Sequence, residues 1–280
     1  MPRRNVARRV ALATSLLLFG VAARLDAQGW TLLHHFDFTS DLTSGVPGDA
    51  SVGTLHGSAA LFAGALRVGG AEGYAQFDGS LIPGVNDYNS SRWTVSVWVR
   101  QRVEQPAGAV VVGVGPETGF MPAYTLGVDG QGQAVARNGA GYGSGALGGT
   151  LGAGTWHLLT TVMSTSCTTL YVDGSEIGGG CGPYYNSGGG GYFGYTRLGR
   201  QVSGYGGQFD GDIDDLRIYQ GILDAGDIRA QYAAGRSLPG ATLVTPEPSS
   251  LALLGTGMLG LAGVVARRRR RDPGARRVRS

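Results

Sequence analysis

The segment Trp93-Thr-Val-Ser-Val-Trp-Val-Arg100 puts Trp93, Val95, Val97 and Val99 on one side of an extended chain and Thr94, Ser96, Trp98 and Arg100 on the other. That period of two belongs to a strand, since a helix repeats its apolar residues every three or four. The same reading continues along the chain. Val110–Val114 is a short apolar run, Tyr124–Val128 and Gln133–Arg137 flank Asp129-Gly130 as a hairpin, and Trp156–Met163 is a further strand. Cys167–Val172, Asp173-Gly174 and Ser175–Ile177 form the strongest hairpin signal, because a two-residue turn with positive φ at both positions favours Asp-Gly. One helix is expected, late in the chain. Asp224 caps it with Asp227 in the first turn, Leu223 and Ile228 hold the staple positions, Tyr232 continues the apolar face, and Gly235 stops it. Many antiparallel strands and one short helix predict an all-β, two-sheet sandwich.

Both ends of the 280-residue chain read as addresses. Arg3, Arg4, Arg8 and Arg9 form a basic region, Val10–Ala23 is apolar, and Leu25-Asp26-Ala27 offers a cleavage site, so residues 1–27 are expected to be a signal peptide. An uncleaved anchor is the alternative. At the other end Pro246, Glu247 and Pro248 precede 16 uncharged residues, Leu251–Ala266, and then five arginines, Arg267–Arg271. As a helix the run spans roughly 24 Å against a hydrocarbon core of about 30 Å, and snorkelling arginines cover the difference. The arginines stay cytoplasmic by the positive-inside rule, with residues 272–280 as a basic tail and 236–245 as a linker. This tail resembles the PEP-CTERM sorting signal of Gram-negative bacteria. The resemblance implies that a membrane-embedded exosortase processes the protein at Pro246, Glu247 and Pro248 and passes it to the cell surface. A plain single-pass anchor is the alternative.

The basic ends disguise an acidic middle. All 23 basic residues are arginine, and 13 lie in the two terminal segments, leaving residues 29–243 with 10 arginines against 17 acids, a net −7. A phosphate backbone is therefore excluded as a natural partner, and a cation is a reasonable one. Glycine is abundant there, but apolar and aromatic residues are spread throughout, which fits strands joined by tight turns and excludes a disordered tract.

Trp93–Arg100, Gly154–Val162 with its Trp156-His157 pair, Leu170-Tyr-Val-Asp-Gly174, Phe209–Tyr219 and Gly221-Ile-Leu-Asp224 follow in an order that resembles the laminin-G-like, concanavalin A-type jelly roll over residues 30–235. The glycine-rich stretches Gly139–Gly154 and Gly178–Gly194 depart from it. Unbroken alternation in the last strand puts Asp214, Leu216 and Ile218 on one face, hence Asp214 in the core, where a carboxylate requires a partner. The related jelly-roll glucanases carry an Asp-x-Val-Arg-Val-Tyr strand whose Asp helps hold a structural calcium. The resemblance implies the same ion at Asp214, with Asp37 as the available second acid. A β-bulge turning Asp214 to solvent and a salt bridge to an arginine are the alternatives.

Pairing across Asp173-Gly174 sets Cys167 opposite Gly180, so a bulge within Gly178–Gly180 brings Cys167 to Cys181 for a disulfide in an oxidising compartment. Two free buried thiols are the alternative. His34, His35, His56 and His157 show no metal-ligand spacing. The fold's hydrolases use a Glu-x-Asp-x-(x)-Glu strand, but Glu72, Glu104, Glu117 and Glu176 stand isolated, no Gly-x-Ser-x-Gly is present, and Gly188–Gly191 lacks the Lys-Ser/Thr of a phosphate loop. The sequence thus points to an exported, non-catalytic module binding glycan or extracellular matrix. Tyr184, Tyr185, Tyr192 and Tyr195, in a flexible glycine-rich loop, are the candidate sugar-stacking residues. A structural matrix protein without a specific ligand and a divergent glycoside hydrolase are the competing readings.

Overall fold

The computed structural model describes residues 29–85, 92–105, 108–116, 123–138, 145–165, 167–182, 194–202 and 207–236. The expected signal peptide, Tyr184, Tyr185, Tyr192, Pro246–Pro248 and the Leu251–Ala266 run lie outside them. The strands, in chain order, are β1 (Trp30–Phe36), β2 (Gly53–His56), β3 (Ala60–Leu61), β4 (Leu66–Val68), β5 (Tyr74–Asp78), β6 (Arg92–Gln101), β7 (Ala109–Gly115) and β8 (Tyr124–Val128). They continue as β9 (Gln133–Asn138), β10 (Gly145–Thr150), β11 (His157–Ser164), β12 (Cys167–Val172), β13 (Ser175–Cys181), β14 (Tyr195–Leu198), β15 (Gly207–Gln208) and β16 (Gly211–Gly221), followed by helix α1 (Ala225–Ala234).

Two eight-stranded sheets result. The first runs β13-β12-β11-β6-β16-β4-β3, with β1 also on β16; the second runs β10-β9-β8-β7-β14-β5-β2, with β15 parallel to β7. The alternation of β6 decides which side is inside. Trp93, Val95, Val97 and Val99 join Phe36, Phe77, Val112, Tyr124, Leu126 and Leu216 in the core between the sheets. Each fully buried side chain of this kind is worth about 1.5–3 kcal/mol. Thr94, Ser96 and Trp98 face outward yet stay buried, because something covers that side.

The cover is α1. Asp224 caps it as expected, its carboxylate accepting from the N–H groups of Gly226 and Asp227 at 2.7 and 2.8 Å, and Gly235 stops it at φ 74°. Ile228 and Leu223 pack with Val162, Tyr171 and Tyr219 in a second apolar cluster. Trp30 Nε1 donates to Asp227 at 2.9 Å, Ser96 Oγ to Gln231 Oε1 at 2.9 Å, and Trp98 stacks on Tyr232. The helix therefore covers the outer side of β6, β11, β12 and β16 in the first sheet, while the second sheet has no such helix among the described residues.

The Asp173-Gly174 turn has φ of 52° and 77°, the doubly positive pair that favours this dipeptide. Cys167 and Cys181 are disulfide-bonded directly across β12 and β13. The bulge that aligns them falls at Ile177, between the pairs Leu170–Gly178 and Tyr171–Glu176, one residue before the expected glycine stretch. The glycine-rich segments are partly strands, β10 and β13, whose edges meet at the corner of the sandwich. A Cβ on Gly180 would collide with the carbonyl oxygen of Gly145, so only glycine fits there.

Candidate functional site

The strand β16 corrects the expected place of Asp214. Its first residues, Gly211–Ile213, pair with β4 and its last, Leu216–Gly221, with β1, so Asp214 and Asp215 fall in the gap between two partners. A bulge opens there against β6, with Asp215 at φ 49°. Ile213, Leu216 and Ile218 face the core, and Asp214 lies opposite Trp98 on the other face. It does not share a side with Leu216 and Ile218 because the bulge inserts one residue between them. It is nevertheless 0% exposed.

Its two oxygens have partners. Oδ1 accepts from the Asp215 N–H at 2.7 Å and Oδ2 from Arg236 Nη1 at 2.7 Å, so the salt-bridge alternative describes it. Burial pushes the Asp214 carboxyl up to about 7; the charges of Asp215 and Asp37 add to this, while Arg236 and the Asp215 N–H oppose it. Asp37 is exposed at the end of β1, its Oδ1 accepting from Thr39 N at 3.0 Å. No group of three or more His, Cys, Asp or Glu suited to a metal occurs among the described residues.

Neighbouring acids on β16 are likewise bonded to basic side chains. Asp215 meets His35 Nε2 at 2.7 Å and Arg217 Nε at 2.8 Å. Asp212 meets Arg67 and Arg100 at 2.8 and 2.7 Å; burial works against its ionisation, but these two arginines hold its carboxyl below the ordinary carboxylate value. Asp212, Asp214 and Asp215 are all buried and each is bonded to an arginine, which makes this part of β16 an electrostatic seam.

One Ser-His-Asp grouping was not anticipated. Asp49 Oδ2 and Ser51 Oγ lie 2.6 and 3.3 Å from His34, both on Nδ1. A nucleophile relay needs the serine and the acid on opposite ring nitrogens, so this geometry does not activate Ser51 through His34. Burial acts to raise the Asp49 carboxyl, but bonds from Ser44, Ser51 and His34 prevail and hold it at about 2, which suits a structural loop tie.

Among the described residues, the outer face of β2, β5 and β14 is a partly exposed surface. Period-two alternation points Ala75 and Phe77 of β5 inward and Tyr74 and Gln76 outward; on β14 it points Thr196 and Leu198 inward and Tyr195 and Arg197 outward. Register then sets Arg197 beside Gln76, and Tyr74 beside His56 of β2. The His56 and Tyr74 rings stack at 4.6 Å, 4° from parallel. Arg197 and Arg200 place their guanidinium carbons 4.9 and 5.1 Å from the Tyr74 ring centre, and Arg197 is 5.9 Å from that of Tyr195.

Arg197 is held in place. Nε donates to Gln76 Oε1 at 2.8 Å and Nη1 to the carbonyl of Val202 at 2.9 Å. The loop after β14 lies along one side, because Gln201 Nε2 donates to Thr125 Oγ1 at 2.8 Å and covers Gly113. Tyr195 is thus the one of the four expected tyrosines within the described residues, and it opens a central strand rather than sitting in a loop. Tyr74, His56 and Arg197 were not among the expected sugar-stacking residues. The alternation in Tyr74-Ala-Gln-Phe-Asp78 was the available signal.

Comparison with known proteins agrees with this architecture. The family model described as Laminin_G_3, concanavalin A-like lectin/glucanases superfamily, matches residues 69–229, and that of the PEP-CTERM protein-sorting motif matches residues 244–271. No curated protein matches the chain. Among solved structures, domain 4 of AbnA, a GH43 extracellular arabinanase from Geobacillus stearothermophilus, in complex with arabinotriose, is similar at 20% identity and TM-score 0.54, covering 72% of this chain and 98% of that one. Trypanosoma rangeli sialidase is similar at 16% identity and TM-score 0.55, over 72% of this chain and 32% of the sialidase. The binding domain of botulinum neurotoxin serotype D/C is similar at 12% identity and TM-score 0.54, over 72% of this chain and 52% of that domain. At these identities the likeness is one of fold. Among the described residues no helix is long and apolar enough to cross a membrane.

Proposed function

The chain belongs to the concanavalin A-like lectin/glucanases superfamily and carries a PEP-CTERM motif, which implies exosortase processing and an exported, surface-sorted protein; from that premise we propose that it is a non-catalytic module binding glycan on the outer face of β2, β5 and β14. One observation carries the reading. On the first sheet α1 packs over the outer side of β6, β11, β12 and β16, whereas this face presents the Tyr195 ring, the stacked His56–Tyr74 pair and a fixed guanidinium. Flat aromatic surfaces stack on the apolar face of a sugar ring, and fixed polar groups orient it.

Support for a non-catalytic role comes from the lack of the Glu-x-Asp-x-(x)-Glu strand and from the placement of Asp49 and Ser51 on one nitrogen of His34. The arabinotriose held by the AbnA domain is consistent with the carbohydrate reading. Calcium at Asp214 is retained as a proposal. It requires the ion to displace Arg236 from Oδ2 and recruit Asp37 across the gap between β1 and β4.

Glycan-array binding tests the main reading. Selective binding that Tyr74→Ala and Tyr195→Ala both abolish, with melting temperatures within a few degrees of wild type, supports it. No binding across many glycans assigns the chain a structural role in the matrix.

A further inference from the structure

Resting on the glycan reading of the same surface, we infer that this face selects acidic polysaccharides, sugars bearing carboxylate or sulfate groups, through Arg197 and Arg200. The charge distribution of the domain carries the inference. Arg67, Arg100, Arg102, Arg217 and Arg236 are each paired with an aspartate. The other five of the ten arginines in residues 29–243, Arg92, Arg137, Arg197, Arg200 and Arg229, form no salt bridge with a carboxylate among the described residues, and of these Arg197 and Arg200 are the two that converge on one aromatic ring. Their neighbours are the ring of Tyr74 and, for Arg197, one amide oxygen and one carbonyl.

Two guanidinium groups 4.9 and 5.1 Å from the centre of one tyrosine ring repel each other, and a bound anion relieves that repulsion. The bonds to Gln76 and Val202 employ two of the five N–H donors of Arg197, and leave both N–H groups of Nη2 and one of Nη1 to donate to an anion. A carboxylate or sulfate can take those N–H groups as a fork, in a geometry that is already fixed before binding. The adjacent Tyr195 ring and the free side of the His56–Tyr74 stack supply the flat surface that the sugar itself requires. A nucleic acid also presents anions and planar rings, and the net −7 of the domain opposes either polyanion, so the DNA arm of the test is what separates them.

The test compares polygalacturonate, a sulfated galactan, neutral arabinan and single-stranded DNA as ligands of the full chain in detergent, at low and high salt. The expected result is binding to polygalacturonate or the sulfated galactan at least about tenfold tighter than to arabinan, weakened by salt, with little binding to DNA. The polygalacturonate and sulfated arms identify which anion is read. Arg200→Gln and Arg197→Gln should collapse the acidic-over-neutral ratio toward one. Arg92→Gln, the same charge change on the other sheet, should leave it intact. Equal binding to acidic and neutral glycans overturns the acidic inference while the glycan reading stands. Binding to no glycan overturns both, and DNA binding as tight as polygalacturonate replaces sugar selectivity with plain anion attraction.

Discussion

Arg236 Nη1 lies 2.7 Å from Asp214 Oδ2, and the same guanidinium sits 3.9 Å above the Trp156 ring. Arg236 follows the helix stop at Gly235, so this pair fastens the last described turn of chain to the middle of β16. A carboxylate buried on the outer face of a sheet is tolerated because this cation and one backbone N–H satisfy it.

The pair makes stability depend on pH in a defined direction. The Asp214 carboxyl is pushed up to about 7 in the folded chain, and an unfolded aspartate titrates near 4. Between those values the folded protein holds a proton that the unfolded chain has lost, so this group's contribution falls as pH rises from about 4 to about 7. Melting temperature measured across that range should decline more steeply for wild type than for Asp214→Asn. Arg236→Gln, which leaves a buried carboxylate unpaired, should cost about 3 kcal/mol or more above pH 7. Identical pH profiles for wild type and Asp214→Asn would show that Asp214 does not titrate in this window.

Calcium and Arg236 compete for one oxygen. If the ion binds, a calcium-dependent rise in melting temperature should be larger in Arg236→Gln than in wild type and absent in Asp214→Asn. An ion at a hundredfold excess over its Kd adds about 2.7 kcal/mol. Equal melting of wild type and Arg236→Gln with calcium and with chelator removes calcium from this site.

The disulfide closes a loop with a sequence separation of 14 at the edge strand β13. Chain entropy assigns such a loop about 3 kcal/mol. Reduction, or Cys167→Ser with Cys181→Ser, should lower the unfolding midpoint accordingly, and no change on reduction would place the stability of β13 elsewhere.

Capping of α1 is a local test of the cover over the first sheet. Asp224→Ala should cost about 1 kcal/mol, while Asp224→Asn, which still accepts from Gly226 and Asp227, should cost a fraction of that. Urea denaturation distinguishes them, and equal losses would mean that charge at the helix end matters more than the two bonds.

The sorting motif predicts two masses. Surface-released protein should end near Pro246–Pro248 and lack Leu251–Ala266, which the precursor retains. Intact mass spectrometry reads this directly, and Arg267–Arg271 found on released protein would contradict processing.

Local rules were enough where a residue's neighbours in sequence are its neighbours in space. The two faces of β6, the Asp173-Gly174 turn, the Asp224 cap and the approach of Cys167 to Cys181 all follow from spacing, because a strand repeats every two residues and a turn or cap is completed within four. The order of these pieces also sufficed to reveal the family.

Tertiary structure decided the rest. Asp214 changed faces because β16 exchanges one partner, β4, for another, β1, and the residues between them are free to bulge; alternation within the strand carries no trace of that exchange. Its counter-ion comes from beyond the helix. The surface of His56, Tyr74, Arg197 and Arg200 gathers residues more than a hundred positions apart, and strand order rather than composition put them side by side. The sequence by itself determined which elements form and which faces are apolar. Which outer face stays open, and which charges remain unpaired on it, depended on long-range pairing between sheets and helix, since burial and ion pairing are properties of neighbours in space.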